Sequence, residues 1–131
     1  MFVDASAFCA ILLGEVDRAR FEERLANTAG AMTSGVAVWE TVRSLVRGKG
    51  LAVAEAETEV LTYLGLAEVV TVDVGLREAT MALHAFSRFG KGVHPAKLNM
   101  GDCFAYACAK IHGVPLLYKG DDFSQTDIET A

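Results

Sequence analysis

The chain has 131 residues, a length that supports one domain with its own hydrophobic core. Hydrophobic residues make up 52% of it, which excludes a largely disordered chain. The formal net charge of −5 argues against broad, sequence-independent adhesion to nucleic acid but leaves room for a local basic patch. We therefore predict a single domain over residues 1–131.

The cysteines and the N-terminus show no sign of secretion. Cys9, Cys103 and Cys108 form no C-x-x-C pair, and each stands in an apolar helical context where a free thiol behaves as a small hydrophobic group. Met1 leads directly into a strand-like segment without the basic start of a signal peptide. No apolar run approaches the roughly 20 residues that span a membrane. We expect a soluble, cytoplasmic protein with no membrane partner.

Strand-like and helix-like segments alternate along the chain. The predicted strands, in chain order, are residues 1–4, 31–34, 68–72 and 115–119. The predicted helices, in the same order, are residues 6–14, 15–28, 35–48, 52–66, 74–90 and 100–112. This alternation predicts an α/β fold in which helices cover both faces of a parallel sheet.

Capping residues and apolar periodicity define the predicted helices. Thr33 or Ser34, then Asp73 and Asn99, are predicted N-caps, and Gly113 is a predicted helix stop. Apolar residues at helical spacing should face the core. They are Val16, Phe21, Leu25, Val38, Trp39, Val42, Val46, Val53, Ala56, Val60, Leu64, Ala67, Ala79, Ala82, Leu83, Phe86 and Phe89.

Four acidic residues, far apart in the chain, lie at the ends of predicted strands or toward the starts of predicted helices, with Glu40 about two turns into its helix. They are Asp4, Glu40, Asp102 and Asp122. In open α/β sheets the binding crevice lies outside the carboxyl ends of the strands, where the strand order reverses. Carboxylates that meet there repel one another unless a cation compensates them. Mg²⁺ or Mn²⁺ suits such ligands and would activate water for phosphodiester cleavage, so convergence of the four would indicate a nuclease.

Each acid also has a structural explanation when it is considered alone. Asp102 in a first turn favours the helix dipole, and Glu40 on a helix is commonly solvated or paired with a neighbour such as Arg43. Asp122 and its neighbour Asp121 have ordinary turn chemistry. Asp4 is harder to explain this way, because a carboxylate that ends an apolar central strand would be partly buried and must be compensated.

The other motifs narrow the choice of chemistry. No two histidines stand at helical spacing for zinc, no G-x-S-x-G elbow is present, and no glycine-rich phosphate loop appears. Basic residues on the segments that border the predicted crevice are Arg43, Arg47, Lys91, His94, Lys97 and Lys119. They are either ordinary surface charges or contacts to the phosphates of a nucleic acid.

Three segments carry a family resemblance that extends over nearly the whole chain. FVDASA, TSGVAVWETV and HPAKLNMGDCFAYACAKIHGVPLLYKGDDFSQTDI resemble the VapC-type PIN-domain ribonucleases, the toxins of bacterial type II toxin–antitoxin pairs. The resemblance implies a single PIN domain with a central parallel sheet of four or five strands, flanked by helices and with acidic residues gathered at one end.

The resemblance also implies roles for individual residues. Asp4, Glu40 and Asp102 match the first three acidic positions of the family, and Ser6 matches a hydroxyl position that supports the acidic cluster. These acids would be catalytic and would bind Mg²⁺ or Mn²⁺.

The fourth acid is less clearly matched. Many PIN domains place it in a T-x-D pattern, and Gly120 stands at that aspartate's position here. We favour Asp122, which directly precedes Phe123, with Asp121 as the supporting alternative.

The implied function is a metal-dependent endoribonuclease, with transfer RNA, a ribosomal loop and messenger RNA open as substrates. Arg43, Lys91, His94 and Lys97 are the candidate RNA contacts. The implied partner is a VapB-like antitoxin. Promoter DNA would be bound only indirectly, through that antitoxin, and homodimers are usual in the family.

Two alternative functions are a catalytically inactive PIN-like module and a receiver-like signalling domain. A receiver requires two adjacent acids at the first strand, whereas Ala5 follows Asp4.

Overall fold

A computed structural model describes all 131 residues and shows a four-stranded parallel sheet between two layers of helices. The strands are β1 (Phe2–Val3), β2 (Met32–Ser34), β3 (Val70–Val72) and β4 (Leu116–Leu117). The helices are α1 (Ala5–Leu12), α2 (Arg18–Ala26), α3 (Gly35–Lys49), α4 (Val53–Leu66), α5 (Leu76–Phe89) and α6 (Met100–His112), and a 3₁₀ turn follows at Phe123–Gln125. None of these helices has the length and apolar character needed to cross a membrane.

Alternating side chains of the central strands create two hydrophobic cores. Val3 and Leu117 face the core formed with α1, α2, α3 and α4, whereas Phe2 and Leu116 face the core formed with α5 and α6. Successive residues of a strand point to opposite faces, so even a two-residue strand contributes to both layers. The pairing of Phe2 with Leu116 and of Val3 with Leu117 fixes the register of β1 against β4.

The strand order β3-β2-β1-β4 creates a switch point beside the first strand. The chain proceeds from β1 to β2 to β3 in one direction and then crosses back to place β4 on the other side of β1. Ligand crevices of open α/β sheets form at such reversals, outside the carboxyl ends of the strands. The residues that follow β1 and β4 therefore meet at the same edge.

Most of the predicted helix signals are confirmed. Of the two predicted caps of α3, Ser34 is the one used, and its hydroxyl accepts a hydrogen bond from the Ala37 amide (3.3 Å). Asn99 caps α6, and Gly113 ends that helix in the left-handed conformation, at a φ of 62°. The prediction that Asp73 caps α5 is wrong.

The helix α5 starts two residues later than that prediction requires. Gly75 is its N-cap, and the Gly75 amide donates to the side chain of Glu78 (2.8 Å). Glu78 thus accepts a hydrogen bond from a free amide at the helix start. In the prediction, the side chain of Asp73 was to accept such a bond.

Several apolar residues that were predicted to face the core are exposed. They are Val16, Trp39, Val53, Leu83 and Phe86. In α3 the buried positions are instead Ala37, Thr41 and Leu45, spaced four residues apart. At 100° per residue this stripe turns Trp39 to the opposite side of the helix. Val38, Val42 and Val46 pack against the core formed with α1, α2, α3 and α4, as predicted, so periodicity misplaced only Trp39 on this helix.

Candidate active site

Asp4 directly follows β1 and is the N-cap of α1. The residue is buried, and its Oδ2 accepts hydrogen bonds from the Ser6 amide (2.9 Å) and the Ser6 hydroxyl (2.5 Å). The hydroxyl in turn accepts a hydrogen bond from the Lys119 amide (2.9 Å), two residues beyond β4. The Oδ1 atom accepts no hydrogen bond from a side chain, and because no buried side-chain oxygen lacks a partner, this atom is not fully buried.

Asp102 is held by the N-terminal cap of α6. Its Oδ2 accepts a hydrogen bond from the Asn99 amide (2.8 Å), while the Asn99 side chain accepts one from the Asp102 amide (3.1 Å). This reciprocal arrangement is a capping box, which satisfies two amides at a helix start. It orients the Asp102 carboxylate and leaves its second oxygen without a protein donor.

Glu40 projects from α3 onto the first turn of α6. Its carboxylate lies so close to Gly101 that a Cβ atom at position 101 would collide with it. Gly101 is buried in a helix where alanine would be intrinsically more favourable, so the close approach of Glu40 explains the glycine. Sequence reasoning missed Gly101, and the only local signal for it is a glycine directly before a predicted ligand.

Asp122 acts electrostatically on two of the other acids. Its charge raises the pKa of both Asp4 and Asp102, whereas no such effect comes from Asp121. Phe123, only 2% exposed, anchors this loop in the core. Both aspartates are exposed in the loop that follows β4, so the distinction between them rests on this electrostatic effect.

Burial and neighbouring charges raise the pKa of three of the four acids. Burial raises the pKa of Asp4 and, together with the charges of Asp4 and Asp122, raises that of Asp102 to about 6. Burial raises the pKa of Glu40 to about 7, and the charges of Asp4 and Asp102 add to the effect. Removal from water and neighbouring like charges both disfavour the ionised form. The four carboxylates thus form one electrostatic group.

This acidic group lacks a cation from the protein. None of Asp4, Glu40, Asp102 and Asp122 forms an ion pair with lysine, arginine or histidine. As the side chains are placed, no three acidic, histidine or cysteine residues form a ready-made metal site. Magnesium commonly uses only one or two direct carboxylates and keeps several water ligands, so the free oxygens fit the requirements of that ion.

The predicted RNA contacts differ in their surroundings. Arg43 lies near enough to Glu40 for its charge to lower the pKa of that carboxyl. Lys91 and Lys97 are exposed on the loop between α5 and α6 and pair with no carboxylate. His94, on the same loop, accepts a hydrogen bond from the Ala96 amide (3.2 Å) and so has a structural role.

The side chain of Lys119 is not free to contact a phosphate. Its ammonium group pairs with Asp17 (2.8 Å) and with Glu15, both in the connection between α1 and α2. These contacts tie the end of β4 to the end of α1, and the Lys119 amide also donates to the Ser6 hydroxyl that supports Asp4.

Comparisons with known proteins identify the class of fold and site. A family model described as "PIN domain" matches residues 1–129. The crystal structure of Mycobacterium tuberculosis VapC20, a sarcin-ricin loop cleaving toxin, matches with a TM-score of 0.80 at 20% identity and covers 99% of this chain and 97% of that one. The predicted PIN-type α/β fold, with four strands, is confirmed.

Relatives with higher sequence identity specify the family further. A VapC ribonuclease of Rhizobium meliloti is 40% identical over 139 residues, with 97% of this chain and 98% of the relative covered. Ribonuclease VapC30 of Mycobacterium tuberculosis is 39% identical over 130 residues, with 99% and 97% covered. The chain belongs to the PIN-domain family and, within it, to the VapC ribonucleases, as the resemblance implied.

The raised pKa of Glu40 predicts a pH-dependent effect on stability. The folded-state pKa of about 7 lies above the ordinary value of 4.5, so between these values the folded chain binds more protons than the unfolded one and stability falls as pH rises. In metal-free protein, Glu40→Gln should therefore raise the free energy of unfolding at pH 8 by about 1 kcal/mol, after allowance for solvent screening, and change it little at pH 4. Urea unfolding in EDTA measures this difference.

The matched control is Glu57→Gln, which changes an exposed glutamate of α4 that forms no ion pair. That variant should follow the wild type at both pH values. Equal stability gains for Glu40→Gln at pH 4 and pH 8 would contradict the raised pKa of Glu40 in the folded chain.

Proposed function

We propose that this chain is the toxin of a toxin–antitoxin pair, an endoribonuclease that cleaves RNA phosphodiester bonds with Mg²⁺ or Mn²⁺. One observation carries the proposal: four carboxylates from distant parts of the chain gather at one sheet edge, with free oxygens and no cationic partner. A site of this kind requires a cation to be fully ionised at neutral pH. The ribonuclease relatives support RNA as the substrate.

The chain's own residues supply the ligands and hold them in place. Asp4 and Asp102 would bind the metal through their Oδ1 atoms. Glu40 and Asp122 have no protein donor at either oxygen, so they would bind the ion directly or orient its water ligands. A bound Mg²⁺ or Mn²⁺ would lower the pKa of a water ligand and offset charge that develops on the scissile phosphate.

Supporting residues limit how far these ligands can move. Ser6 fixes one oxygen of Asp4, and Asn99 fixes one oxygen of Asp102. The hydroxyl of Ser6 donates to Asp4 and accepts from the Lys119 amide, so both contacts serve to hold the ligand in place. Direct attack by water, with no covalent enzyme intermediate, is therefore the mechanism that we propose.

Protein partners form the second part of the proposal. The VapC relatives support a VapB-like antitoxin, which would connect this chain to promoter DNA, and we also propose a homodimer in the cytoplasm. An entirely apolar groove between α5 and α6 supports association with protein, because Leu83, Phe86 and Met100 leave much of their surface exposed there. Exposed apolar patches of this kind mark interaction sites.

Metal binding should stabilise the folded chain. Because the acids repel one another when no cation is bound, millimolar Mn²⁺ should raise the melting temperature by about 3–8 °C through binding to the folded state alone. The double variant Asp4→Asn and Asp102→Asn should lose this shift. An equal shift in the double variant would place the metal elsewhere in the protein.

Loss of a single acid should abolish the chemistry without unfolding the chain. Asn remains a good helix N-cap at position 4 and can still accept the Asn99 amide at position 102. Asp4→Asn and Asp102→Asn should each reduce RNA cleavage by about 100-fold or more and retain a cooperative thermal transition. Full cleavage by both folded variants would reject the proposed site. A wild-type chain that binds Mn²⁺ but cleaves no RNA would favour the inactive-module alternative.

The position of the fourth acid distinguishes two adjacent residues. Because Asp122 is electrostatically coupled to Asp4 and Asp102, Asp122→Asn should reduce cleavage by about ten-fold or more. Asp121→Asn provides the matched control, since it removes the same charge one residue away, and it should have a smaller effect. Side-by-side rates at saturating Mn²⁺ measure both, and a larger loss for Asp121→Asn would reverse the assignment.

A further inference from the structure

The only tryptophan of the chain lies in water beside the acidic group. Trp39 directly precedes Glu40 on α3 and is 59% exposed. An indole ring is among the largest apolar surfaces that a side chain can bury, so leaving it exposed loses the favourable free energy of removing that surface from water. The buried stripe of α3 is formed by small or aliphatic residues on the other side of the helix. Packing within the chain therefore does not explain the tryptophan.

Arg43 connects this ring to the acidic site. Its guanidinium carbon lies 5.6 Å from the centroid of the Trp39 ring, one helical turn along α3. Its charge also acts on the carboxyl of Glu40, so the arginine is near both the ring and the acid. Neither Arg43 nor Arg47, one turn further, forms an ion pair with a carboxylate. Two unpaired positive charges thus flank an exposed aromatic ring.

We propose that Trp39 and Arg43 form a platform on which a base of single-stranded RNA stacks, next to the phosphate that is cleaved. The proposal rests on the proposed function, because it assigns the RNA strand to the crevice that holds Glu40. Proteins bind single strands by combining aromatic rings that stack on bases with positive charges that follow the phosphates. Arginine contributes to both contacts, through the plane of its guanidinium group and through its charge.

The charges around the platform favour RNA over a protein partner. The groove between α5 and α6, where Leu83, Phe86 and Met100 are exposed, is lined by seven hydrophobic residues and no charged one. The Trp39 surface instead combines one ring with the unpaired Arg43 and Arg47 on a chain whose net charge is −5. A local positive strip beside the acidic site complements a phosphate backbone.

Intrinsic fluorescence tests the platform directly, because Trp39 is the only tryptophan and is therefore the source of all tryptophan emission. The probe is a single-stranded RNA oligonucleotide, added to the full-length Asp4→Asn variant in Mg²⁺ so that binding is observed without cleavage. A stacked base should quench the emission saturably, and higher salt should weaken the binding. Fluorescence anisotropy of labelled RNA reports binding independently of the tryptophan.

Substitutions at position 39 separate stacking from general affinity. In the same background, Trp39→Ala should weaken RNA binding by about five-fold or more, whereas Trp39→Phe should restore most of the affinity. In the otherwise wild-type enzyme, Trp39→Ala should raise KM more than it lowers kcat. Leu66→Ala is the control, because Leu66 is an exposed apolar residue far from the acidic group. It lies on α4 in a groove with Thr28 and Gly30, which precede β2 and therefore lie at the amino end of the sheet. This variant should bind RNA like the parent.

Two outcomes would overturn the platform while leaving the proposed function intact. One is RNA binding by anisotropy with no change in tryptophan emission. The other is an unchanged KM and RNA affinity for Trp39→Ala in an enzyme that still cleaves, which would make Trp39 a protein contact instead. Absence of RNA binding to every variant would overturn the platform together with the proposed function.

Discussion

The repulsion among four carboxylates is the constraint around which this molecule is organised. Asp4, Glu40, Asp102 and Asp122 come from separate segments, and burial together with their neighbours raises the pKa of the first three. Such an arrangement destabilises the chain at neutral pH unless a cation is bound. The fold therefore maintains an unfavourable charge cluster at one edge and must hold it with contacts elsewhere. A cation that binds the folded state alone would remove this cost.

The contacts that hold the cluster are hydrogen bonds and close packing at the ends of elements. The Ser6 hydroxyl joins the carboxylate of Asp4 to the backbone of Lys119, so that β1 and β4 share one support at their carboxyl ends. Asn99 orients Asp102, and Gly101 admits Glu40 against the start of α6. The amides of Ser6, Lys119 and Asn99 that donate these hydrogen bonds lie at helix or strand ends, where the elements leave them unpaired. The same element ends thus provide both the ligands and the groups that position them.

The chemistry of the surface changes from one side of the site to the other. On the α3 side, the exposed ring of Trp39 is accompanied by the unpaired Arg43 and Arg47. On the α5 and α6 side, the exposed residues are apolar and uncharged, and Met100 lies only two residues from Asp102. A nucleic-acid strand and a protein partner would therefore approach the acidic crevice over surfaces of different character.

Local signals were sufficient to predict the element order, the parallel sheet and the candidate ligands. Asn99 and Gly113 mark the ends of α6 through capping chemistry that involves only nearby residues. Asp4, Glu40 and Asp102 could be selected from the sequence because acids at element ends meet at the carboxyl edge of a parallel sheet. The tertiary structure decided what depends on contacts between distant segments. The approach of Glu40 to Gly101 joins α3 to α6, and periodicity within either helix carries no information about that distance.

The same distinction explains the remaining differences. Trp39 was assigned to the core because hydrophobic periodicity favours the largest apolar residues, whereas the packing of α3 buries the smaller Ala37 and Thr41. Asp121 and Asp122 are both exposed loop residues, and only the charge of Asp122 acts on Asp4 and Asp102, an effect that depends on distances to segments remote in sequence. The sequence by itself thus determined the types of residue at the site and the order of the elements. The tertiary structure decided which face of each element is inward, because that choice depends on the shape of the partner surface.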